Sequence, residues 1–243
     1  MKKIGVISDT HGNLPALTVA LDYLDKQGCD EIIHTGDVVD IGPNSLECLQ
    51  LLLERGVICL LGNHDRDFVA NNPQLRTFSH VAIEHKQYVF STLDGYQSTV
   101  QKFPLFVTRN CGGKKIMFEH YCRLPQQSDE GVVFVTLEQH PTAEFFDSVY
   151  AHYDCDAVFF GHKHEPCDIM GKRLYVDVGS LGCHPQAEAT GIVIQYDDSS
   201  WHYDRFALPY DQESTRRQMT DGRLPDGKYL YDFYFAHKKD AQH

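Results

Sequence analysis

Aspartate, asparagine and histidine recur in four short clusters, and each cluster follows a segment with the apolar pattern of a strand. The clusters are Asp9-x-His11, Asp37, Asn63-His64 and His162-x-His164. Carboxylate, amide and imidazole groups are ligands for metals such as Mn, Fe, Co, Ni and Zn. Cysteine is absent from all four clusters, which argues against a structural zinc site. The types and spacing of these residues predict a metal site assembled from distant parts of the chain.

The elements that precede these clusters alternate between strand and helix over the first 65 residues. Short apolar runs predict strands, and apolar residues at helical spacing predict helices between them. The predicted strands are 2–8, 31–35 and 57–61, and the predicted helices are 14–27 and 43–55. This alternation implies right-handed crossovers and a parallel sheet. Because the loops after parallel strands meet at one edge of a sheet, the first three clusters are expected to lie together.

The second half of the chain is rich in hairpin patterns. Gly112-Gly113 and Gly171-Lys172 each separate two predicted strands, which favours a second, mixed sheet packed on the first. Further helices are predicted within residues 78–93, 97–102 and 141–153. We expect one domain over residues 1–210 with a helical insertion around 66–104. The charged tail, 211–243, is expected to pack on the domain or at a subunit contact.

Composition disfavours several classes of protein. The 243 residues carry a formal net charge of −12, so general binding to nucleic acid is disfavoured. No uncharged apolar stretch reaches the ~18 residues that a membrane span needs. The 8 cysteines form no C-x-x-C pair, and a chain of this length needs no disulfide staples. Reduced thiols in a cytoplasmic protein are therefore expected.

The order of the motifs resembles that of the calcineurin-like metallophosphoesterase superfamily. The motifs span residues 9–164 and are Asp9-x-His11, Gly36-Asp37-x-x-Asp40, Gly62-Asn63-His64-Asp65, His120 and Gly161-His162-x-His164. Residues 8–13 and Val178-Gly179-Ser180 are similar to the small bacterial and archaeal branch, which includes phosphodiesterases and diadenosine-polyphosphate hydrolases. The resemblance implies an α/β fold, a four-layer αββα sandwich of two mixed β-sheets flanked by helices.

The resemblance also implies two metal ions per chain, drawn from Mn, Fe, Zn, Ni and Co. Each ion would have three ligands of its own: Asp9, His11 and His164 for one, and Asn63, His120 and His162 for the other. Asp37 would bridge the two ions. His120 precedes Tyr121, where the family usually has glycine, and the alternatives for this ligand are His85, His140 and His152.

Two further residues are expected to act in catalysis. By the resemblance, His64 would bind phosphate or protonate the leaving group, and Asp40 stands where protein-phosphatase-like members have a carboxylate paired with that histidine. We therefore predict a contact between Asp40 and His64, which would raise the pKa of His64 and favour its proton-donating form. The alternative for Asp40 is a loop-capping role.

Substrate contacts are expected from residues in and beside the motifs. These candidates are Asn13, Asn63, His64, Tyr121 and Arg123. Arg123 is a candidate phosphate clamp, with an ordinary surface arginine as the alternative.

The expected reaction is hydrolysis of small phosphodiesters, phosphomonoesters or dinucleoside polyphosphates by in-line attack of a metal-bridging hydroxide. The ligand set holds only two carboxylates, so two divalent ions would leave the site at about +2 and able to attract a small phosphorylated substrate, nucleotides included. The alternatives are a Ser/Thr protein phosphatase-like enzyme and a catalytically silent scaffold of the same fold. Ile41 disfavours the first, since protein phosphatases have arginine there. The sequence leaves the oligomeric state open.

Overall fold

The structure is a computed structural model that describes residues 1–71, 81–122 and 141–236. These residues form two five-stranded sheets. The strands are β1 (Lys2–Ile7), β2 (Glu31–His34), β3 (Ile58–Cys59), β4 (Phe106–Cys111), β5 (Lys114–Glu119), β6 (Ala157–Phe160), β7 (Cys167–Met170), β8 (Leu174–Asp177), β9 (Glu188–Tyr196) and β10 (Trp201–Pro209).

Both sheets are mixed, as predicted. The first has the order β10-β9-β1-β2-β3, in which β1–β2 and β2–β3 are parallel and the other pairs antiparallel. The second has the order β4-β5-β6-β8-β7, in which β5–β6 and β6–β8 are parallel and the outer pairs antiparallel. Each sheet therefore has parallel strands whose carboxyl ends share an edge.

Helices cover the outer faces of the sheets. They are α1 (Leu14–Gln27), α2 (Ser45–Glu54), α3 (Asn63–Val69), α4 (Ile83–Thr92), α5 (Gln97–Val100), α6 (Ala143–Val149), α7 (Gln212–Thr220) and α8 (Gly227–Leu230). A 3-10 turn, Tyr150–His152, follows α6, and a π-helical turn, Tyr231–Phe235, follows α8. In the part of the chain that the structure describes, no helix has the length and apolar character needed to cross a bilayer.

Successive apolar side chains of a strand lie alternately in the core between the sheets and in the core between a sheet and its helices. Val6 of β1 and Phe159 of β6 lie in the core between the two sheets. Ile7 points to the other side of its sheet and packs with α1 and α2, while Phe160 packs with Phe146 of α6. Successive residues of a strand face opposite sides, so this burial on both faces confirms the predicted four-layer αββα sandwich.

The structure corrects one loop of the sequence analysis. Residues 62–65 were expected to be a loop after the third strand, but Asn63 begins α3 with Gly62 as its N-cap. The Asp65 carboxylate accepts the backbone N–H of Gly62 at 3.1 Å, which satisfies a donor that the helix start leaves open. A glycine beside an asparagine is typical of a turn, and that signal hid the helix.

The regions of the predicted insertion and tail are helical where they are described. The helices α4 and α5 lie within residues 66–104, and the predicted start of a helix at residue 78 falls outside the described residues. From the tail, α7 packs against α1, and residues of α7, α8 and the π-helical turn form an apolar cluster with Ile41, Val81 and Cys183.

Asn13 joins the tail to the first helix. Its side-chain oxygen accepts from the N–H of Ala16 at 3.3 Å, which caps α1, and from the hydroxyl of Thr215 at 3.2 Å. Its amide nitrogen donates to the carbonyl of Gly182 at 2.8 Å and to the hydroxyl of Tyr210 at 3.0 Å. The side chain is fully buried and its hydrogen-bonding capacity is used, so Asn13 has a structural role, while its substrate contact stays a prediction.

Replacing Asn13 with alanine is expected to destabilise the fold. The variant loses an N-cap, worth about 1 kcal/mol, and two donated hydrogen bonds, worth about 1 kcal/mol each, so the free energy of unfolding should fall by about 3 kcal/mol. Urea unfolding measures this loss. The matched control is Asn110→Ala, since Asn110 is exposed on β4. Equal stability of the two variants would contradict the capping role.

Candidate metal centre

The clusters predicted from the sequence converge at the carboxyl ends of five strands. Asp9 follows β1, Asp37 follows β2, and Asn63 opens α3 just after β3. From the second sheet, His120 follows β5, and His162 and His164 follow β6. The two sheets pack face to face, so both sets of loops meet at one edge of the sandwich.

The first group of side chains comes from β1 and β6. The Nε2 atoms of His11 and His164 lie 3.1 Å apart. The Asp9 Oδ1 atom lies 3.3 Å from the Nε2 of His164 and 3.8 Å from the Nε2 of His11. These distances place three potential ligand atoms around one point.

The second group comes from α3, β5 and β6. The His120 Nε2 atom lies 3.2 Å from Nδ1 of His162 and 3.0 Å from Oδ1 of Asn63. Oδ1 of Asn63 lies 2.8 Å from Nδ1 of His162. Rotating the Asn63 amide would instead turn its nitrogen toward the same two rings. His120 is thus the histidine that the structure brings to this group; His152 is exposed on the 3-10 turn and His140 lies outside the described residues.

Asp37 lies between the two groups. Its Oδ2 atom is 3.2 Å from Nε2 of His120 and 3.9 Å from Nε2 of His11. Its Oδ1 atom accepts the backbone N–H of His64 at 2.8 Å, which fixes the carboxylate. Asp37 therefore faces one histidine of each group.

The chemistry of the donor set fits divalent metal ions. In both groups, carboxylate, amide and imidazole atoms that can supply lone pairs face one another in a buried site. Oδ1 of Asp9 is fully buried and makes no hydrogen bond to any described residue. A buried, uncompensated carboxylate oxygen is costly, and a cation at its lone pairs removes that cost. The sulfur of Cys183 also lies within 4.8 Å of the His11 and His164 nitrogens, which the sequence did not predict, but burial raises the pKa of this thiol well above its usual value. The remaining donors are oxygen and imidazole atoms, which suit Mn, Fe, Co, Ni or Zn.

The protonation states of the ligands also favour metal binding. Burial, together with His64, lowers the pKa of His11 to about 3, and burial, together with His120, lowers that of His162 to about 3. Both rings are therefore neutral and have lone pairs available at pH 7. Burial opposes ionisation of Asp37, but His120 and His64 outweigh it and hold the pKa of this carboxyl well below its usual range.

The loops reach the site through strained backbone. Five of the potential ligands have left-handed backbone with φ between 45° and 79°: Asp9, His11, Asp37, His162 and His164. Asp40 and Ile41 share this conformation, with φ of 75° and 65°. Non-glycine residues rarely adopt positive φ, and such strain persists where the surrounding structure imposes it, often at functional sites.

Two glycines permit the close approach of these loops. A Cβ atom on Gly62 would lie 2.1 Å from Oδ1 of Asp37, and one on Gly161 would lie 1.9 Å from Oγ of Ser8. Any larger residue would separate the strand ends and their ligands. The glycines of the G-N-H and G-H-x-H motifs are therefore part of the site's geometry.

Asp65 holds the loop of Asp37 in place, which the sequence analysis missed. Besides capping α3, its carboxylate accepts the backbone N–H groups of Asp37 at 2.8 Å and Val38 at 3.0 Å. The available signal was its place at the third position of a helix start, which the expected loop concealed.

The predicted contact between Asp40 and His64 is present. Oδ2 of Asp40 lies 2.8 Å from Nδ1 of His64. Oδ1 of Asp40 accepts the backbone N–H of Ile41 at 2.9 Å, so the loop-capping role that was the alternative is fulfilled as well. Burial disfavours the charged form of His64, but the carboxylates of Asp37 and Asp40 outweigh burial and raise its pKa to about 9.

The remaining substrate candidates are placed as follows. Tyr121 is only 2 % exposed, and its ring packs against that of His162 with centroids 4.6 Å apart. It therefore supports a potential ligand, and its role as a substrate contact stays a prediction. Arg123 lies outside the described residues. Asn63 and His64 both lie at the edge where the two groups meet.

Comparisons with known proteins agree with this architecture. A family model described as calcineurin-like phosphoesterase matches residues 2–166. An uncharacterised protein of Methanocaldococcus jannaschii is 23 % identical over 241 residues, which cover 92 % of this chain and 94 % of the relative.

Two solved structures are similar to this chain over nearly its whole length. A hypothetical protein of Pyrococcus horikoshii OT3 superposes with a TM-score of 0.76 and 17 % identity, covering 97 % of this chain and 99 % of that one. A metallophosphoesterase from Sphaerobacter thermophilus superposes with a TM-score of 0.71 and 22 % identity, covering 93 % and 96 %. Both share the fold.

Metal binding is expected to release protons at neutral pH. Burial disfavours charge on His120, but Asp37 outweighs it and raises the pKa of His120 to about 9, so the ring must lose a proton before its Nε2 can bind metal. Metal affinity should therefore rise as pH rises toward 9, about tenfold per unit for each proton released.

Titration calorimetry with Zn or Mn in two buffers of different ionisation heat counts these protons. His120→Asn should release one proton fewer than the unmodified protein, while His202→Gln, at an exposed position of β10, should release the same number. An affinity that does not change with pH would contradict the expectation.

Proposed function

The chain belongs to the calcineurin-like phosphoesterase family and is a hydrolase of phosphoester bonds, and from this premise we propose that it is a dinuclear enzyme. Its proposed substrates are small phosphodiesters, phosphomonoesters or dinucleoside polyphosphates. The observation that carries the proposal is the position of Asp37, whose Oδ2 faces one histidine of each group.

The proposed ligand set divides between the two groups. Asp9, His11 and His164 would hold one ion, and Asn63, His120 and His162 the other, with Asp37 shared. Two divalent ions at these residues would activate a water molecule for attack and neutralise charge on the phosphoryl group.

The electrostatics of the ligands favour a phosphate despite the acidity of the chain. Asp9 and Asp37 supply the only two carboxylates of the proposed set, and the imidazoles of His11 and His162 are neutral. With two divalent ions the site is locally cationic, by about two charges, in a chain of net charge −12. This local field would draw a small anion to the edge of the sandwich.

His64 is suited to give a proton to the leaving group. Its ring lies against that of His11, with centroids 4.9 Å apart, so it stands beside the proposed ions. Asp40 binds Nδ1, which leaves Nε2 as the nitrogen that can face the substrate. The carboxylates that raise its pKa keep the ring protonated at pH 7, as a general acid requires.

The position of Tyr234 in the C-terminal tail favours substrates that carry an aromatic group. Tyr234, which is partly buried, has its ring centroid 6.4 Å from that of His164. An aromatic ring beside the reacting centre offers a surface on which a nucleobase or an aryl group can stack. Nucleotides and dinucleoside polyphosphates are therefore among the proposed substrates.

A protein substrate is not supported. Ile41, at the position of the protein phosphatases' arginine, is fully buried in an apolar cluster with Cys183 and the tail. An isoleucine there supplies no charge for a phosphoprotein phosphate.

Hydrolysis of bis(p-nitrophenyl) phosphate and of diadenosine tetraphosphate with added Mn tests the proposal. We expect turnover of at least one ester that chelator abolishes and metal restores. Asp37→Asn should lower kcat by about 10³-fold or more and reduce bound metal, because both proposed ions lose a ligand.

Asp198→Asn is the matched control, since Asp198 is an exposed carboxylate after β9. It should retain the activity and metal content of the unmodified protein. A folded, metal-loaded protein that cleaves no phosphoester would support the silent scaffold and overturn the proposal.

A further inference from the structure

A second histidine lies behind the His64–Asp40 pair. His85, on α4, is fully buried. Its Nε2 lies 3.3 Å from Oδ1 of Asp40, the carboxylate oxygen that does not face His64. Its Nδ1 lies 2.9 Å from the backbone carbonyl oxygen of Pro225, in the C-terminal segment. His85 thus connects the insertion, the tail and the proposed general acid.

The neighbours of His85 bear on which of its ring nitrogens carries a hydrogen. The Pro225 carbonyl oxygen can only accept, so Nδ1 carries a hydrogen and donates it. In a ring protonated at Nδ1 alone, Nε2 would turn a lone pair toward a carboxylate oxygen, which is repulsive in a buried site. A hydrogen on Nε2 would instead face this carboxylate oxygen across the 3.3 Å that separates the two atoms.

Asp40 is fixed by contacts on every side. Its backbone N–H donates to Oγ of Ser45 at 3.0 Å, and its Oδ1 accepts from the N–H of Ile41 at 2.9 Å while facing His85. Its Oδ2 is then directed to Nδ1 of His64 at 2.8 Å. Without His85, one oxygen of a fully buried carboxylate loses its imidazole neighbour, and the carboxylate gains freedom to turn from His64.

We propose that His85 is a positioning residue that fixes His64 through the Asp40 carboxylate and ties this pair to the C-terminal segment. The inference rests on the proposed hydrolysis and adds a residue outside the motifs to its machinery. Residues that orient a catalytic group from one contact away typically contribute 10–100-fold.

The effect of replacing His85 on the rate of hydrolysis depends on the leaving group of the substrate. An alkoxide leaving group needs a proton from a positioned acid, whereas p-nitrophenolate leaves without one. A misplaced His64 should therefore slow the hydrolysis of alkyl or nucleoside esters more than that of p-nitrophenyl esters. A general loss of structure would slow both to the same degree.

The experiment compares methyl p-nitrophenyl phosphate with a nucleoside ester in His85→Phe and His85→Gln. Phenylalanine fills the space without a donor, and kcat for the nucleoside ester should fall about 10–100-fold while kcat for the nitrophenyl ester changes less than about threefold. Glutamine keeps an N–H that can reach Asp40, so its loss should be smaller but of the same selectivity. His202→Gln is the control at an exposed histidine.

An independent readout is the His64 Nδ1–H proton resonance of the zinc-loaded protein, assigned by its absence in His64→Asn. In both His85 variants this signal should broaden or shift upfield, since the hydrogen bond to Asp40 loosens. Equal losses on both esters, or an unchanged resonance in a variant that folds, would overturn the role of His85 and leave the hydrolase intact. If His85→Phe does not fold, His85→Gln decides by the same two criteria. Absence of any ester hydrolysis, with the resonance still dependent on His85, would overturn the proposed function alone.

Discussion

The structure depends on a buried set of carboxylate oxygens and ring nitrogens whose lone pairs repel one another. Oδ1 of Asp9, Oδ2 of Asp37 and the neutral rings of His11 and His162 lie within a few ångströms of one another in a buried site. Folding brings them together against their desolvation cost. His120 offsets part of that cost at Oδ2 of Asp37, and bound cations would offset more of it. This conflict explains the chemistry of the residues around the site.

Apolar packing in the surrounding fold keeps these groups in place. Loops with positive φ cost of order 1–3 kcal/mol per residue, and they persist because both sheets are anchored by apolar cores on their two faces. Gly62 and Gly161 remove the Cβ atoms that would keep the loops apart, and Asp65 binds the backbone of the Asp37 loop. The strain is local, while the packing that opposes it extends across the four layers.

The sequence predicted the parts of the molecule that local patterns determine. Strand–helix alternation predicted the parallel strands of the first sheet, and the hairpin turns predicted the second, mixed sheet. The bounds of α1 follow from Pro15 in its first turn and Gly28 at its end. The resemblance implied the two groups of ligands, and the structure places His164 beside His11 and His162 beside His120. The roles of Asn13 and His85 were not predictable, because their partners Tyr210 and Pro225 lie 197 and 140 residues away in sequence. Contacts of that range depend on tertiary packing and leave no periodic signal.

The family model matches the part of the chain that carries the proposed metal ligands, and the C-terminal tail lies outside that match. All the proposed metal ligands lie within residues 2–166, the part that the family model matches. The tail lies beyond it, yet it buries Ile41, contacts His85 through Pro225 and brings Tyr234 beside His164. A metal centre alone discriminates poorly among phosphate esters, because it binds the group they share. The C-terminal segment, which brings Tyr234 beside His164, is therefore the proposed place where the organic group is selected. The same segment contacts His85, which reaches the proposed general acid through Asp40. On this proposal, substrate choice and proton transfer would both depend on the C-terminal segment.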